Sequence, residues 1–173
     1  MVLPVSRTSA EAHLYMDLHG CTCGESAFAR DSAVIALDDG DLARRYSGAC
    51  AGCGTEREFI FRLPATPSAD NPSELIDPGE WLAVSDAYAS QAPAEPAGLS
   101  AEQIRRGHAA VARAASALDE VLKFIPEGAE EVPASAFFSD RGREIYAREP
   151  GRFRKVRLAA VREAYAEMAG QFV

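Results

Sequence analysis

The chain holds four cysteines, in two tight pairs: Cys21-Thr22-Cys23-Gly24 and Cys50-Ala51-Gly52-Cys53-Gly54. Thiolates are soft ligands, and two short loops that each present two of them can fill the corners of a tetrahedron with little chain strain. The chemistry this pattern points to is metal binding, with zinc as the expected ion. Gly24 and Gly54 can take positive φ, which brings backbone amides close to the sulfurs. Four thiolates close the coordination sphere, so the metal is expected to be structural and not catalytic. Glu25, just after the first pair, reads as a solvated strand residue and not as a general base.

Elements of a recognisable kind must hold the two loops. Ser32 to Leu37 and Leu42 to Tyr46 are apolar runs joined by Asp38-Asp39-Gly40, a turn signal that predicts a hairpin. From Thr55 to Leu63 the residues alternate, with Phe59 and Phe61 on one face and Glu58, Ile60 and Arg62 on the other, which predicts a third strand. Taken with the Cys-x-Cys-Gly and Cys-x-x-Cys-Gly loops, this stretch resembles a zinc ribbon. The resemblance implies a three-stranded sheet with a structural Zn2+ held by Cys21, Cys23, Cys50 and Cys53. A sheet this small buries too little to be stable alone, and a structural zinc typically supplies about 10 kcal/mol or more of apparent folding free energy. The sequence departs from the common ribbon pattern in two places. The first pair is one residue short, and 26 residues separate Cys23 from Cys50. A mixed site in which His19 replaces one sulfur, disulfides, and free thiols are the alternatives.

Composition extends the reading. Apolar residues make up 47% and charged residues 25%, which suits a globular chain. Paired cysteines in metal spacing, with no apolar run of membrane length and no signal-peptide core in Met1 to Val5, lead to the expectation of a cytoplasmic protein. The fold expected is α+β, a three-stranded ribbon followed by three or four helices. Three regions are read: residues 1–63 as the ribbon module with its N-terminal segment, 64–99 as a linker with a short helix, and 100–173 as a helical module.

Within this scheme, Ala10 to Leu18 is a short helix or strand. Pro64 to Pro72 and Gln91 to Gly98 have linker composition. Asp77-Pro78-Gly79-Glu80 reads as an N-cap with proline in the first turn, starting a helix that carries Trp81, Leu82, Val84 and Tyr88. Ser100 and Gln103 form a capping box. The helix that follows runs to about Ile125 and shows a heptad-like seam of Ile104, His108, Val111, Ala115, Leu118, Leu122 and Ile125. Ser139 or Asp140 caps a further helix that ends at Pro150-Gly151. A last helix, Phe153 to about Ala169, carries Leu158, Val161, Tyr165, Met168 and finally Phe172 along one stripe, expected to dock on the Ser100 helix.

Charge narrows the function classes. The net charge is −8, with −11 over residues 1–133 and +3 over residues 134–173. An acidic body disfavours nonspecific nucleic-acid binding and suits a basic protein partner. The one basic patch, Arg152, Arg154, Lys155, Arg157 and Arg162, lacks aromatic interleaving and a helix-turn-helix, and is read as pairing with the chain's own acids or with a partner. No nucleotide-binding glycine loop, nucleophile elbow or His-Glu-x-x-His is present, so an enzyme is not expected. In general character, though through no specific motif, the chain is similar to bacterial immunity proteins, which cover the active site of a cognate, commonly basic, toxin. That implies protein binding, with Trp81, Phe137 and Phe138 as anchors wherever they are exposed. The alternative is a nucleic-acid-binding regulator that uses the ribbon and the C-terminal arginines.

Overall fold

Thr8 starts the first helix by accepting the backbone N–H of Glu11 on its side chain, and α1 then spans Ser9–Leu18. In this computed structural model the described residues are 3–66, 69–94 and 97–172 of 173; Pro67, Ser68, Glu95 and Pro96, within the two proline-rich segments, lie outside them. The chain divides into two units, Met1–Leu75 and Ile76–Val173.

The hairpin and third strand of the first unit form as the sequence predicts. Strands β1 (Asp31–Ala36), β2 (Leu42–Ala49) and β3 (Glu56–Arg62) make one antiparallel sheet in the order β1-β2-β3. The register pairs Val34 with Arg44 and Arg44 with Phe61, so Arg44, Tyr46, Phe59 and Phe61 share one face. Against that face lies α1, with Ala12 and Met16 buried and the ring of Tyr15 set edge-on to Phe59 and Phe61 at centroid distances of 6.2 and 5.5 Å. Ser6 N–H donates to the Arg62 carbonyl and Arg62 N–H to that of Pro4, both at 3.0 Å, so Pro4–Ser6 lies along the Arg62 end of β3. The far edge, β1, pairs with nothing beyond β2 among the described residues, and all of its side chains but Ile35 are exposed.

Four α-helices build the second unit: α2 (Pro78–Ala89), α3 (Ala101–Leu122), α4 (Asp140–Arg148) and α5 (Lys155–Gln171). With one sheet and five helices the class is α+β. The caps fall where the sequence places them. Asp77 and Ser100 each close a capping box, and Ser139 caps α4. Because α2 packs on α3 and α4, it belongs to the core of this unit and is not simply part of a connection.

The seam of α3 differs from the heptad reading. Its buried residues are Gly107, Ala110, Val111, Ala114, Ala115, Ala117, Leu118 and Val121, while His108 is exposed. The reason is that α3 packs against both α2 and α5, so it buries two flanks, and alanines and a glycine line them where helices approach closely. A Cβ on Gly107 would sit 2.6 Å from the Phe172 ring, which marks how tightly the end of α5 docks on α3. On α5 itself only Leu158 is fully buried, with Val161, Tyr165 and Met168 half-buried. Phe137, Tyr146 and Phe153 form an aromatic cluster with centroids 4.4 to 5.7 Å apart. No helix among the described residues is long and apolar enough to cross a membrane.

Candidate metal centre

Both cysteine loops are turns that close back on their first cysteine, the second one residue longer than the first. In the first, Gly24 N–H donates to the Cys21 carbonyl and Cys21 N–H to the Glu25 carbonyl, both at 2.8 Å. In the second, Gly54 N–H donates to the Cys50 carbonyl and Cys50 N–H to that of Thr55, both at 2.9 Å. Gly24 and Gly54 sit at φ +90° and +74°, a region that other residues rarely adopt and that each turn requires to fold back on its first cysteine. The loops are also tied to each other. Phe28 bridges Cys50 in antiparallel fashion, and Ala51 N–H donates to the Ala27 carbonyl at 3.0 Å.

This arrangement gathers all four sulfurs within 4.8 Å of one another. Cys21 and Cys53 lie 3.6 Å apart, as do Cys23 and Cys50. A disulfide needs about 2.05 Å, so all four are free thiols here. A tetrahedron with metal–sulfur bonds of about 2.3 Å has edges of about 3.8 Å, near the two separations of 3.6 Å, and the other pairs lie within 4.8 Å. Together they form a group that can hold a metal ion.

Electrostatics agree with a site that wants a cation. The Thr55 hydroxyl, 3.2 Å from Cys53 Sγ, and the Thr55 backbone stabilise a thiolate and pull Cys53 down to about 6. The backbone of Cys23 lowers Cys21 as well. Against the Glu25 backbone, which pulls it down, neighbouring Cys53 and Cys50 push Cys23 up to about 12. Thiols this close do not all ionise unless a positive charge is shared among them.

His19, the candidate replacement ligand, is used elsewhere. Its Nδ1 lies 2.9 Å from the Tyr15 carbonyl and its ring stacks on Tyr15 at 3.9 Å, and the metal-capable group consists of the four cysteines without it. The Glu25 carboxylate accepts the Ala27 N–H at 2.8 Å and so shapes the chain leaving the first loop.

One residue that matters here was not singled out from the sequence. Arg57 on β3 is 8% exposed, and its guanidinium donates to the carbonyls of His19 and Ser26, which bracket the first cysteine loop. It lies over the rings of Phe28 and Phe59 at 4.6 and 5.1 Å. A signal was available: Arg57 occupies the same alternating face as Phe59 and Phe61, where an arginine needs both a cover for its stem and acceptors for its head.

The basic patch is dispersed into ion pairs of its own unit. Arg152 holds Asp86 with two bonds of 2.9 and 2.7 Å, Arg162 holds Asp119 at 3.0 Å, and Arg154 lies 4.0 Å from Glu131. Lys155 and Arg157 are exposed and have no carboxylate partner among the described residues. Of the apolar anchors considered, Trp81 and Phe137 are buried at 8% and 4% exposure, while Phe138 is 46% exposed. No protein-family model, curated protein or solved structure matches the chain.

Proposed function

We propose that the first unit is a zinc-ribbon module in which Cys21, Cys23, Cys50 and Cys53 hold one structural Zn2+, and that the chain as a whole is a non-catalytic protein that binds a basic protein partner. The observation that carries the metal reading is the gathering of four sulfurs within 4.8 Å of one another by two mutually bonded turns. The metal would act as a cross-link between the α1–β1 connection and the β2–β3 connection, in a unit whose sheet is covered on one face by a single short helix. Four protein ligands leave no position for substrate.

The partner reading rests on charge. A net charge of −11 over residues 1–133 favours encounter with a cationic surface, and the acids not already paired to the chain's own arginines supply that field. Phe138 is the exposed aromatic available as an anchor. Neutralisation of a basic toxin, in the manner of an immunity protein, is one instance of such binding.

Two measurements test these parts separately. Elemental analysis of protein purified without chelator should give one zinc per chain, and a Cys50→Ser variant should lose it; a wild-type chain that keeps full folding cooperativity with no metal after chelation would refute the structural role. For the partner, the metal-retaining chain is used to capture binders from its native extract at moderate salt. A basic protein whose association slows on charge reversal of surface acids supports the reading. Nucleic acid as the retained species would replace it with the regulator.

A further inference from the structure

Two close sulfur–sulfur contacts at the candidate metal centre run between the loops. Cys21 Sγ lies 3.6 Å from Cys53 Sγ, and Cys23 Sγ lies 3.6 Å from Cys50 Sγ. The loops are interlocked there: Ala51 N–H donates to the Ala27 carbonyl at 3.0 Å, Phe28 bridges Cys50, and a Cβ on Gly52 would stand 3.5 Å from Cys23 Sγ. Closing either contact to the bond length of a disulfide, about 2.05 Å, takes a movement of about 1.5 Å, within reach of side-chain rotation while both turns keep their places.

Exposure divides each pair in the same way. Cys53 is exposed and its neighbour Cys21 half-buried, while Cys23 is exposed and its neighbour Cys50 buried. Each contact therefore couples a sulfur that a small oxidant in solvent can reach to one that is better covered. Buried structural cysteines are inert, whereas exposed ones react, and a sulfur oxidised with a second sulfur beside it is captured as a disulfide before it climbs further.

We propose that the four cysteines form a reversible oxidation site, at which hydrogen peroxide converts the cluster to two disulfides that cross between the loops, Cys21–Cys53 and Cys23–Cys50. In each pair the exposed thiolate, of Cys53 or Cys23, attacks the peroxide: an S–O bond forms, the O–O bond breaks, and the second oxygen leaves as water after taking a proton. The covered thiolate, of Cys21 or Cys50, then attacks the sulfenic sulfur, forming the S–S bond and expelling the hydroxyl, which takes a proton to give a second water. Two thiolates thus lose two electrons, and one peroxide gains two electrons and two protons. The effect on the metal rests on the zinc reading above: two such reactions consume all four thiolates and with them the hold on the ion. The disulfides take over its cross-link, so the α1–β1 connection stays joined to the β2–β3 connection.

The test treats the full, metal-retaining chain with hydrogen peroxide, blocks remaining thiols by alkylation and digests with trypsin without reduction. Cleavage after Arg7, Arg30, Arg45 and Arg57 puts Cys21 and Cys23 on one peptide, residues 8–30, and Cys50 and Cys53 on another, residues 46–57. The expected result is loss of every alkylatable thiol and a single species in which these two peptides are joined by two disulfides, returned to separate peptides by dithiothreitol. Partial reduction followed by a second alkylating label should mark Cys21 together with Cys53, or Cys23 together with Cys50. The same treatment in urea is the reference for an unfolded chain, in which the cysteines closest in sequence pair most readily. Separate peptides with internal disulfides, Cys21 paired with Cys50, oxygenated sulfurs without a cross-link, unreacted thiols, or the same map with and without urea would each overturn the proposal. A chromogenic indicator follows the metal, whose loss should keep step with the linking; zinc still bound after both disulfides have formed would overturn the exchange of one cross-link for the other. Linked peptides from a chain that carried no zinc at the outset would refute the zinc reading and support the pairing.

Discussion

The carboxylate of Asp77 is fully buried, faces no cation, and joins the starts of two helices. Oδ1 accepts the N–H groups of Gly79 and Glu80, both at 3.0 Å, as the cap of α2. Oδ2 accepts the backbone N–H and the hydroxyl of Ser139 at 2.8 and 2.7 Å, and the same hydroxyl accepts the Gly142 N–H at 2.9 Å as the cap of α4. Four donors and two helix N-termini thus stand in for a counter-ion. Asp77→Asn keeps the shape and the Oδ1 acceptor but turns an amide NH2 toward the two Ser139 donors. Losing two hydrogen bonds to a charged acceptor, offset by no longer burying that charge, should destabilise the second unit by about 2–4 kcal/mol. Against a typical total of about 5–15 kcal/mol this is a large fraction. Trp81, the one tryptophan, lies in the first turn of α2 and reports on this unit, so urea unfolding followed by its fluorescence is the assay. The glycines give a second handle. A Cβ on Gly142 would meet the Asp77 carboxylate oxygens at 2.0 and 2.1 Å, and one on Gly79 would meet Gly142 Cα at 2.6 Å. Gly142→Ala should therefore destabilise comparably, and the Asp77→Ala/Gly142→Ala pair should lose less than the sum of its members, since both break one contact. A stability change under about 0.5 kcal/mol for Asp77→Asn, the range of ordinary surface substitutions, would refute the account of a shared cap.

Two further expectations concern the first unit. Arg57→Met keeps a long stem between Phe28 and Phe59 but removes the donors to the His19 and Ser26 carbonyls; metal affinity, measured by competition with a chelator of known strength, should fall about ten- to a hundredfold, and an unchanged affinity would show that the first loop holds its shape unaided. The Arg62 guanidinium, 2.7 Å from Asp39, together with the Asp41 backbone N–H, lowers the Asp39 pKa, so carboxyl NMR should find its midpoint below the ordinary value of about 3.9. Its ion pair persists above that lowered midpoint and is lost as pH falls through it, and Arg62→Gln should move the midpoint back up; a wild-type midpoint at or above the ordinary value would contradict the pairing.

What was legible in the sequence was whatever depends on neighbours along the chain. The Asp38-Asp39-Gly40 turn, the alternation around Phe59 and the caps Asp77, Ser100 and Ser139 are local rules, and each element starts or turns where those residues stand. The four cysteines were legible because two loops of fixed kind present them, whatever lies between. The seam of α3 was not, since a heptad pattern assumes one partner helix and α3 has one on each side. Arg57 escaped for a similar reason: its acceptors, His19 and Ser26, are far away in sequence, and only the return of β3 past the first loop makes an arginine on an apolar face affordable. Nor could alternation show that Ser139, 62 residues further along the chain, serves Asp77.

The two borders of the small sheet differ. Along β1, the stretch Ser32–Ala36 after the charged Asp31 has no proline and no charge and no strand pairs with its outer border among the described residues, and Val34 within it is 53% exposed. The Arg62 end of β3 is already occupied by Pro4–Ser6. A strand arriving at the Arg62 end of β3 would have to displace Pro4–Ser6, whereas one arriving at β1 would displace no strand among the described residues. Pairing by strand addition is therefore easier at β1 than at the Arg62 end of β3. Two copies joined antiparallel about a twofold axis through β1 would bury both of these exposed borders against each other.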